Sequence, residues 1–154
     1  MQLLLLTDEY IAKLAVLSAI AARWGLGSYI VPCFSAPLLI NATIGSPKLS
    51  TADPLSTSVR SWWAHKIAAL SAASPSFRGF LIKADSEGQG GPAGYNRTEA
   101  QGANMFAELL APIKGLCIWR AFGHPGDTKV SVWVTIDSCE SPSPVLLAAY
   151  AVVH

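Results

Sequence analysis

The sequence predicts an α/β fold in which helical crossovers join the strands of a parallel sheet. Three observations support this: helical and strand-like patterns alternate along the chain, the apolar fraction is high at 51%, and the charged fraction is low at 14%. Strict alternation is typical of parallel sheets. A high apolar and low charged content fits strands that are buried on both faces.

The first predicted helix begins after Thr7, its N-cap, and ends near Gly25. Its acidic first turn agrees with the helix dipole. A strand is predicted at residues 28 to 34, although Pro32 argues against a central place in the sheet. The residues at helical spacing that predict the buried face of this helix are Ile11, Leu14, Leu17, Ile20, Ala21 and Trp24.

The second predicted helix begins with Asp53 as N-cap and Pro54 at the first helical position. Trp62 and Trp63 lie at helical spacing with other apolar residues, so both are predicted core residues. The apolar run FRGFLIKA that follows, residues 77 to 84, is the second predicted strand.

The third predicted helix opens with the capping box Thr98-x-x-Gln101 and stops at Pro112. The run GLCIWRAF, residues 115 to 122, is the third predicted strand. The chain therefore supplies about three helix and strand units, whereas a closed eight-unit barrel needs about 200 residues or more.

Charged residues collect where the predicted second and third strands end. Lys83, Asp85 and Glu87 follow one another at two-residue spacing, and Arg120 lies near the end of the third strand. Alternation along a strand predicts that the first three leave the same face. Neighbouring parallel strands would bring all four groups to one pocket mouth, because ligands meet such sheets at the carboxyl ends of the strands.

Two interpretations of this charge remain open at this point. Any one of these residues taken alone is more often a solvated loop residue, and the glycine-rich loop that follows is also an ordinary connector. Two carboxylates with flanking cations and nearby tryptophans instead suggest chemistry on a sugar, with one carboxylic acid protonating a glycosidic oxygen. The cations indicate a sugar that carries a carboxylate, which Arg120 can grip bidentately and Lys83 can neutralise.

Other classes of function find no support in the sequence. With 11 basic and 10 acidic residues, the chain shows no electrostatic preference for nucleic acid or an anionic membrane. The glycine loop lacks the phosphate-binding pattern, the serines show no nucleophile elbow, and neither His65 nor His124 has a second ligand at metal-binding spacing. We therefore expect no metal and no cofactor. Cys33, Cys117 and Cys139 are predicted to be buried free thiols.

Several segments together resemble the α-glucuronidases of glycoside hydrolase family 67. The resemblance implies a segment, with about three units, of the (β/α)₈ TIM barrel in which this family carries its active site. It also implies release of 4-O-methylglucuronic acid from glucuronic-acid-substituted xylo-oligosaccharides, with inversion and without a metal. The segments that carry it are TADPL (51 to 55), SWWAHK (61 to 66), GFLIKADSEGQGGP (79 to 92), YNRT (95 to 98), GANMFAELLAP (102 to 112) and GLCIWRAF (115 to 122).

The resemblance also assigns roles to the charged residues. Glu87, the glutamate of KADSEG, is implied as the general acid. Lys83 and Arg120 are implied as ligands of the uronate, and we place Asp85 with them as a substrate-binding residue. If Glu87 is not the proton donor, Asp85 is the next candidate.

The chain departs from the family pattern after Phe122. We expect residues 1–122 to form the partial barrel domain and residues 123–154 to be a divergent, irregular tail. Asp127, Asp137 and Glu140 match no family motif for the inverting bases, so none is assigned as a base. The alternative to a glycosidase is therefore a non-catalytic fragment with residual binding of acidic sugars.

Localisation is inferred from the implied substrate. Xylan lies outside cells, which predicts an extracellular parent enzyme, and the sequons at Asn41 and Asn96 permit N-glycosylation. The N-terminal run MQLLLL has no positively charged region before it, so we predict no signal peptide in this chain. The sequence does not indicate an oligomeric state.

Overall fold

The structure, a computed structural model, describes residues 7–40, 49–85, 88–122 and 145–150 of the chain. Within these residues it contains the helices α1 (Asp8–Arg23), α2 (Ala36–Leu39), α3 (Thr57–Ala73) and α4 (Glu99–Leu110). Short 3-10 turns occupy Pro92–Tyr95 and Ala111–Ile113. None of the described helices is long and apolar enough to cross a membrane.

The strands form one parallel sheet in the order in which they occur along the chain. They are β1 (Ser28–Ile30), β2 (Phe77–Lys83), β3 (Leu116–Phe122) and β4 (Val145–Tyr150), and each pairs with the next. The prediction of alternating helices and parallel strands is therefore confirmed. Consecutive parallel strands linked by helices are the arrangement of a TIM-barrel wall, here as an open segment.

One face of β2 and β3 is covered by α3 and α4 and contains the core. Trp63 on α3 packs edge-on against Phe80 on β2 and Phe106 on α4, with ring centroids 5.7 and 4.8 Å away. Trp119 on β3 contacts Phe34 at 6.3 Å. Edge-to-face packing is a favoured arrangement of aromatic rings and adds to the area they bury. The prediction that Trp62 and Trp63 are core residues is confirmed, since both are buried.

Close contact between β2 and β3 depends on Gly79. This residue has φ +140°, and a Cβ added to it would lie 2.0 Å from the Leu116 carbonyl oxygen. No side chain fits at that distance, so the register of the two strands requires a glycine here.

The predicted buried face of α1 is largely wrong. Ile11 is buried and Leu14 packs partly buried against the core, but three of the other four residues face solvent. Ser18 is buried in their place, because its hydroxyl lies 2.7 Å from the Ser76 hydroxyl and accepts the Ser76 N–H at 2.8 Å. Ser18, and not Leu17 or Ile20, therefore faces the rest of the protein at this turn of α1. The large residues left exposed are Leu17 (64%), Ile20 (53%) and Trp24 (78%).

Two element boundaries also differ from the predictions. β1 ends at Ile30 because Pro32 lacks the N–H that a ladder needs, and the chain rejoins the sheet only through a bridge between Cys33 and Lys83. α3 begins at Thr57, so the prediction of Asp53 as its N-cap is wrong. Asp53 instead closes a turn before the helix, in which its Oδ1 accepts the Leu55 N–H at 2.9 Å.

The start of α4 confirms the predicted capping box. Thr98 Oγ1 accepts the Gln101 N–H at 3.2 Å, and Gln101 Oε1 accepts the Thr98 N–H at 2.9 Å. Reciprocal bonds of this kind satisfy two donors that a helix start otherwise leaves without partners. The capping box therefore fixes the end of the loop that precedes α4.

Further predictions concern thiols, histidines and the C-terminal part of the chain. Cys33 and Cys117 are buried, as predicted, whereas Cys139, His124 and the sequon at Asn41 lie outside the described residues. β4 lies in the part predicted to be an irregular tail, where the sequence analysis predicted no strand. The domain division at residue 122 stays a prediction.

Candidate active site at the carboxyl ends of the strands

Lys83 and Arg120 lie side by side at the ends of two neighbouring strands. The parallel register pairs Ile82 with Trp119 and Lys83 with Arg120. Ile82 and Trp119 are buried under the helices, whereas Lys83 and Arg120 are half-buried. Because side chains alternate along a strand, the two cations point to the face opposite the helix-covered core. β2 and β3 are neighbours, which is the condition under which the strand-end charges are expected to converge, and these two cations lie side by side at the carboxyl ends of the strands.

Cys33 extends this row of residues to the end of β1. Its backbone forms a parallel bridge with Lys83, and its thiol donates a hydrogen bond to Gln89 Oε1 at 3.1 Å. Burial raises the pKa of the Cys33 thiol, which favours its neutral form. Gln89 belongs to the glycine-rich loop, so this contact ties the loop to the first strand.

Asp85 leaves the strand pattern, contrary to the sequence prediction. β2 ends at Lys83, and Asp85 has φ +46°, a left-handed backbone that strand alternation does not describe. The expectation that Asp85 shares a strand face with Lys83 is therefore wrong. Glu87, the predicted general acid, lies outside the described residues.

The glycine loop folds back onto the Asp85 side chain. Asp85 Oδ2 accepts the Ala93 N–H at 2.9 Å. A Cβ added to Gly91 would lie 2.5 Å from both the Asp85 Cγ and Oδ2 atoms, so any larger residue would collide with the carboxylate. The absence of a side chain at Gly91 thus makes room for the Asp85 carboxylate.

Glu99, the first residue of α4, is a site residue that the sequence analysis missed. The indole N–H of Trp119 donates a hydrogen bond to Glu99 Oε2, and Asp85 is also within hydrogen-bonding contact of the Glu99 carboxyl group. Burial, assisted by the nearby Asp85, raises the pKa of Glu99 to about 7. The sequence gives one weak signal, an acid in the first turn of the helix that follows the charged loop.

A second tie joins the loops that precede α3 and α4. Arg97 binds Asp53 through two nitrogens, with Nη2 at 2.9 Å from Oδ2 and Nε at 3.1 Å from Oδ1. This two-pronged bond lowers the pKa of Asp53 below its usual range. The sequence pattern at Asp53 predicts only a helix cap, because a contact across 44 residues leaves no local pattern.

The described residues contain no group of three or more His, Cys, Asp or Glu that could hold a metal ion. His65 is exposed, and its Nδ1 lies 2.8 Å from the Ser61 carbonyl oxygen of the preceding turn. What the described site offers chemically is two adjacent cations, a half-buried carboxyl pair and a loop that is bonded to Asp85 and Cys33.

Comparison with known proteins assigns a family to this arrangement. Residues 1–133 match the glycosyl hydrolase family 67 middle domain. The chain belongs to glycosyl hydrolase family 67. Membership confirms the family resemblance and the interpretation of the sheet as a barrel segment.

Curated relatives from fungi carry names that agree with this family. A probable alpha-glucuronidase A of Aspergillus oryzae is 40% identical over 129 residues, which are 84% of this chain and 15% of that protein. The Aspergillus fumigatus protein of the same name is 42% identical over the same shares. An alpha-glucuronidase of Hypocrea jecorina is 38% identical over 118 residues, 77% of this chain and 13% of the relative. The chain thus spans about one seventh of the length of these relatives.

Proposed function

We propose that this chain supplies the uronate-binding and proton-donating part of a xylan α-glucuronidase. The enzyme would release (4-O-methyl)glucuronic acid from xylo-oligosaccharides by an inverting mechanism. The single observation that carries the proposal is the pairing of Lys83 with Arg120 at the carboxyl ends of β2 and β3. The names of the relatives, alpha-glucuronidases, support the same substrate class.

The two cations suit a sugar that carries a carboxylate. A guanidinium offers a planar fork of donors that matches a carboxylate, and an ammonium adds a compact positive charge. Their position at the strand ends is where parallel α/β folds bind ligands. In this proposal Arg120 grips the uronate, Lys83 neutralises it, and Asp85 lines the same mouth.

Glu87 is the proposed proton donor. A xylose hydroxyl is a poor leaving group and needs a proton as the glycosidic bond breaks, whereas a nitrophenolate needs little help. In a complete enzyme with this motif, replacing the equivalent of Glu87 by Ala should abolish hydrolysis of the natural oligosaccharide and spare much of the activity on a nitrophenyl glucuronide. Equal losses on both substrates would assign the proton to another group, with Asp85 next in line.

Binding of glucuronate to the chain itself tests the proposal. Calorimetric titration with glucuronate and with glucose should show binding of the uronate alone. Arg120→Lys should weaken that binding about tenfold or more, because charge-assisted bonds contribute about 1.5 to 3 kcal/mol. Arg78→Lys is the matched control, since Arg78 is exposed near the opposite end of β2 and bonds to the Pro75 carbonyl. Equal affinity for both sugars would refute the proposal.

Binding of acidic sugars without turnover is the second candidate. It is favoured by the absence of an assigned inverting base, which hydrolysis with inversion needs about 6.5 to 9.5 Å from the acid. We expect no release of glucuronic acid from aldouronic acids above the level of a Glu87→Gln control. Release above that level would favour the enzyme for this chain alone.

An extracellular location is part of the same proposal, because xylan is outside cells. Asn96, in the second sequon, is exposed and therefore accessible to glycosylation. Mass spectrometry of the secreted parent protein, before and after glycosidase treatment, would test this.

A further inference from the structure

Three segments of the chain converge on the carboxyl groups of Asp85 and Glu99. Asp85 follows β2, Glu99 opens α4, and Trp119 lies near the end of β3. Residues 91 and 93, which precede α4, lie against the Asp85 carboxyl group.

The loop side of this contact is defined by backbone geometry. The Ala93 N–H donates to Asp85 Oδ2 at 2.9 Å, and the backbone of Gly91 lies against the same carboxyl group. Asp85 itself has the left-handed φ of +46°, which turns its side chain back toward residues 91 and 93. The Asp85 carboxyl group therefore holds residues 91 and 93 of the loop in place.

The helix side is defined by a buried donor. The Trp119 indole, whose side chain is fully buried, donates its N–H to Glu99 Oε2. Buried indole N–H groups usually find a partner, and here the partner is a carboxyl oxygen. A carboxyl group has two oxygens, so Glu99 has one left for Asp85.

Two carboxyl groups in hydrogen-bonding contact need a proton between them. If both were ionised, neither would have a donor for the other, and like charges at that distance repel. The pKa of Glu99, raised to about 7 by burial first and by Asp85 as well, agrees with a proton held on this residue. The Trp119 hydrogen bond and the helix N-terminus each favour the ionised form of Glu99, so burial and Asp85 outweigh both.

We propose that Asp85 and Glu99 share one proton and form, with Trp119 and Ala93, a clasp that positions the active-site loop. In this clasp Trp119 donates to Glu99, protonated Glu99 donates to Asp85, and Ala93 donates to Asp85. Glu99 is a positioning residue, since it acts on the loop rather than on the sugar. Its relevance to catalysis rests on the proposed function, because the loop also contains Glu87 in its sequence.

Other titratable groups lie on the elements that pack against α4. On the elements packed against α4, the titratable residues in addition to Asp85 are Arg60, His65 and Lys66 on α3, Tyr95 in the 3-10 turn, Cys117 and Arg120 on β3, and Tyr150 on β4. Arg120 lies on the strand face opposite Trp119 by alternation. The cation nearest to Glu99 in sequence, Arg97, is bound by Asp53.

The indole proton of Trp119 reports the state of the clasp directly. In NMR spectra of the unliganded chain, the Trp119 Nε1–H signal, assigned with Trp119→Phe, should shift with pH around a midpoint near 7. Glu99→Gln should remove this transition while preserving the fold, because an amide can donate to Asp85 and accept from Trp119 at every pH. A midpoint near 4.5, the ordinary value for glutamate, would overturn the shared proton.

Exchange of the Ala93 amide proton reports the position of the loop. Its exchange should accelerate about tenfold in wild type between pH 6 and pH 8.5, after correction for intrinsic rates, and at both pH values in Glu99→Ala. Glu99→Gln should keep the protected rate throughout. Glu108→Gln is the matched control, an exposed glutamate on the same helix that pairs with Arg60.

Exchange at Ala93 and at β2 distinguishes opening of the loop from loss of the fold. Amides of β2 serve as the internal standard, because their protection shows whether Glu99→Ala still folds. If the β2 amides also lose protection in Glu99→Ala, the comparison of Glu99→Gln with wild type tests the clasp instead. Ala93 exchange in wild type that does not change across this pH range would overturn the clasp. Both measurements are made without sugar, so failure of glucuronate binding would overturn the proposed function and leave the clasp standing.

Discussion

The two sides of β2 and β3 are built on different principles. The helix-covered side is an aromatic cluster in which Trp63, Phe80 and Phe106 contact one another edge to face. The carboxyl-end side carries Lys83 and Arg120 and is surrounded by loops held by polar bonds. Along each strand, Ile82 and Trp119 therefore pack in the core, whereas the next residues, Lys83 and Arg120, carry the charge.

This difference indicates which property each side controls. Burial of large apolar side chains is the main source of folding free energy, whereas half-exposed charges contribute little to stability. We therefore expect substitutions on the helix-covered side to lower stability, and substitutions at the strand ends to change recognition and pH response. Substitutions on the two sides therefore test whether stability is separate from recognition and pH response.

Trp63→Ala should cause the largest loss of stability. The side chain is fully buried, and its removal leaves a cavity between α3, α4 and β2, at a cost of about 3 to 5 kcal/mol. Urea unfolding followed by circular dichroism measures this loss. Trp24→Ala is the matched control: Trp24 is 78% exposed, and we expect a change within about 0.5 kcal/mol. Similar losses for both tryptophans would contradict the assignment of the core to the helix-covered side.

The stability of wild type should fall as pH rises from about 4.5 to about 7. Unfolded Glu99 has the ordinary pKa of 4.5, while folding raises it to about 7, so the folded chain binds more protons in this window. The difference corresponds to at most about 3 kcal/mol, reduced by the partial solvation of the carboxyl group. Urea unfolding at pH 5 and pH 8 should show a smaller decrease in Glu99→Gln than in wild type or Glu108→Gln. Parallel curves for wild type and Glu99→Gln would remove Glu99 from this role.

Sequence patterns predicted what depends on neighbours in the chain. The capping box at Thr98 and the core positions of Trp62 and Trp63 follow from local spacing. The role of Glu99 depends on Trp119, 20 residues away, so no spacing rule reveals it.

Long-range polar contacts also explain the errors. The buried stripe of α1 was misplaced because Ser18 bonds to Ser76 across 58 residues, and apolar periodicity cannot weigh such a bond. The turn at Asp85 was missed because strand alternation was extended beyond the last paired residue, Lys83.

The Asp53–Arg97 tie should respond to pH in the opposite direction from Glu99. Its partner lowers the pKa of Asp53, so the stabilisation is present above the ordinary value of 3.8 and is lost as pH falls through the lower folded value. Asp53→Asn should lower the urea midpoint at pH 6 by less than Trp63→Ala does, because Arg97 is 36% exposed. The effect should shrink toward pH 2.5. Arg97→Lys keeps the charge and loses the two-pronged bond, so it should lower the urea midpoint by less than Asp53→Asn does. A loss of stability that does not depend on pH would contradict the ion pair.

Arg120→Lys should have the smallest effect on stability and a clear effect on recognition. The substitution keeps the positive charge beside Lys83 and replaces a half-buried side chain by one with a similar apolar stem, so we expect unfolding to change by less than about 1 kcal/mol. Glucuronate affinity should nevertheless fall, since the ammonium cannot make two parallel bonds to a carboxylate. Measuring both quantities on one protein sample separates the two sides of the strands most sharply. If Arg120→Lys lowered stability and left affinity unchanged, Arg120 would be a structural cation, and the carboxyl-end side would have no recognition role distinct from packing.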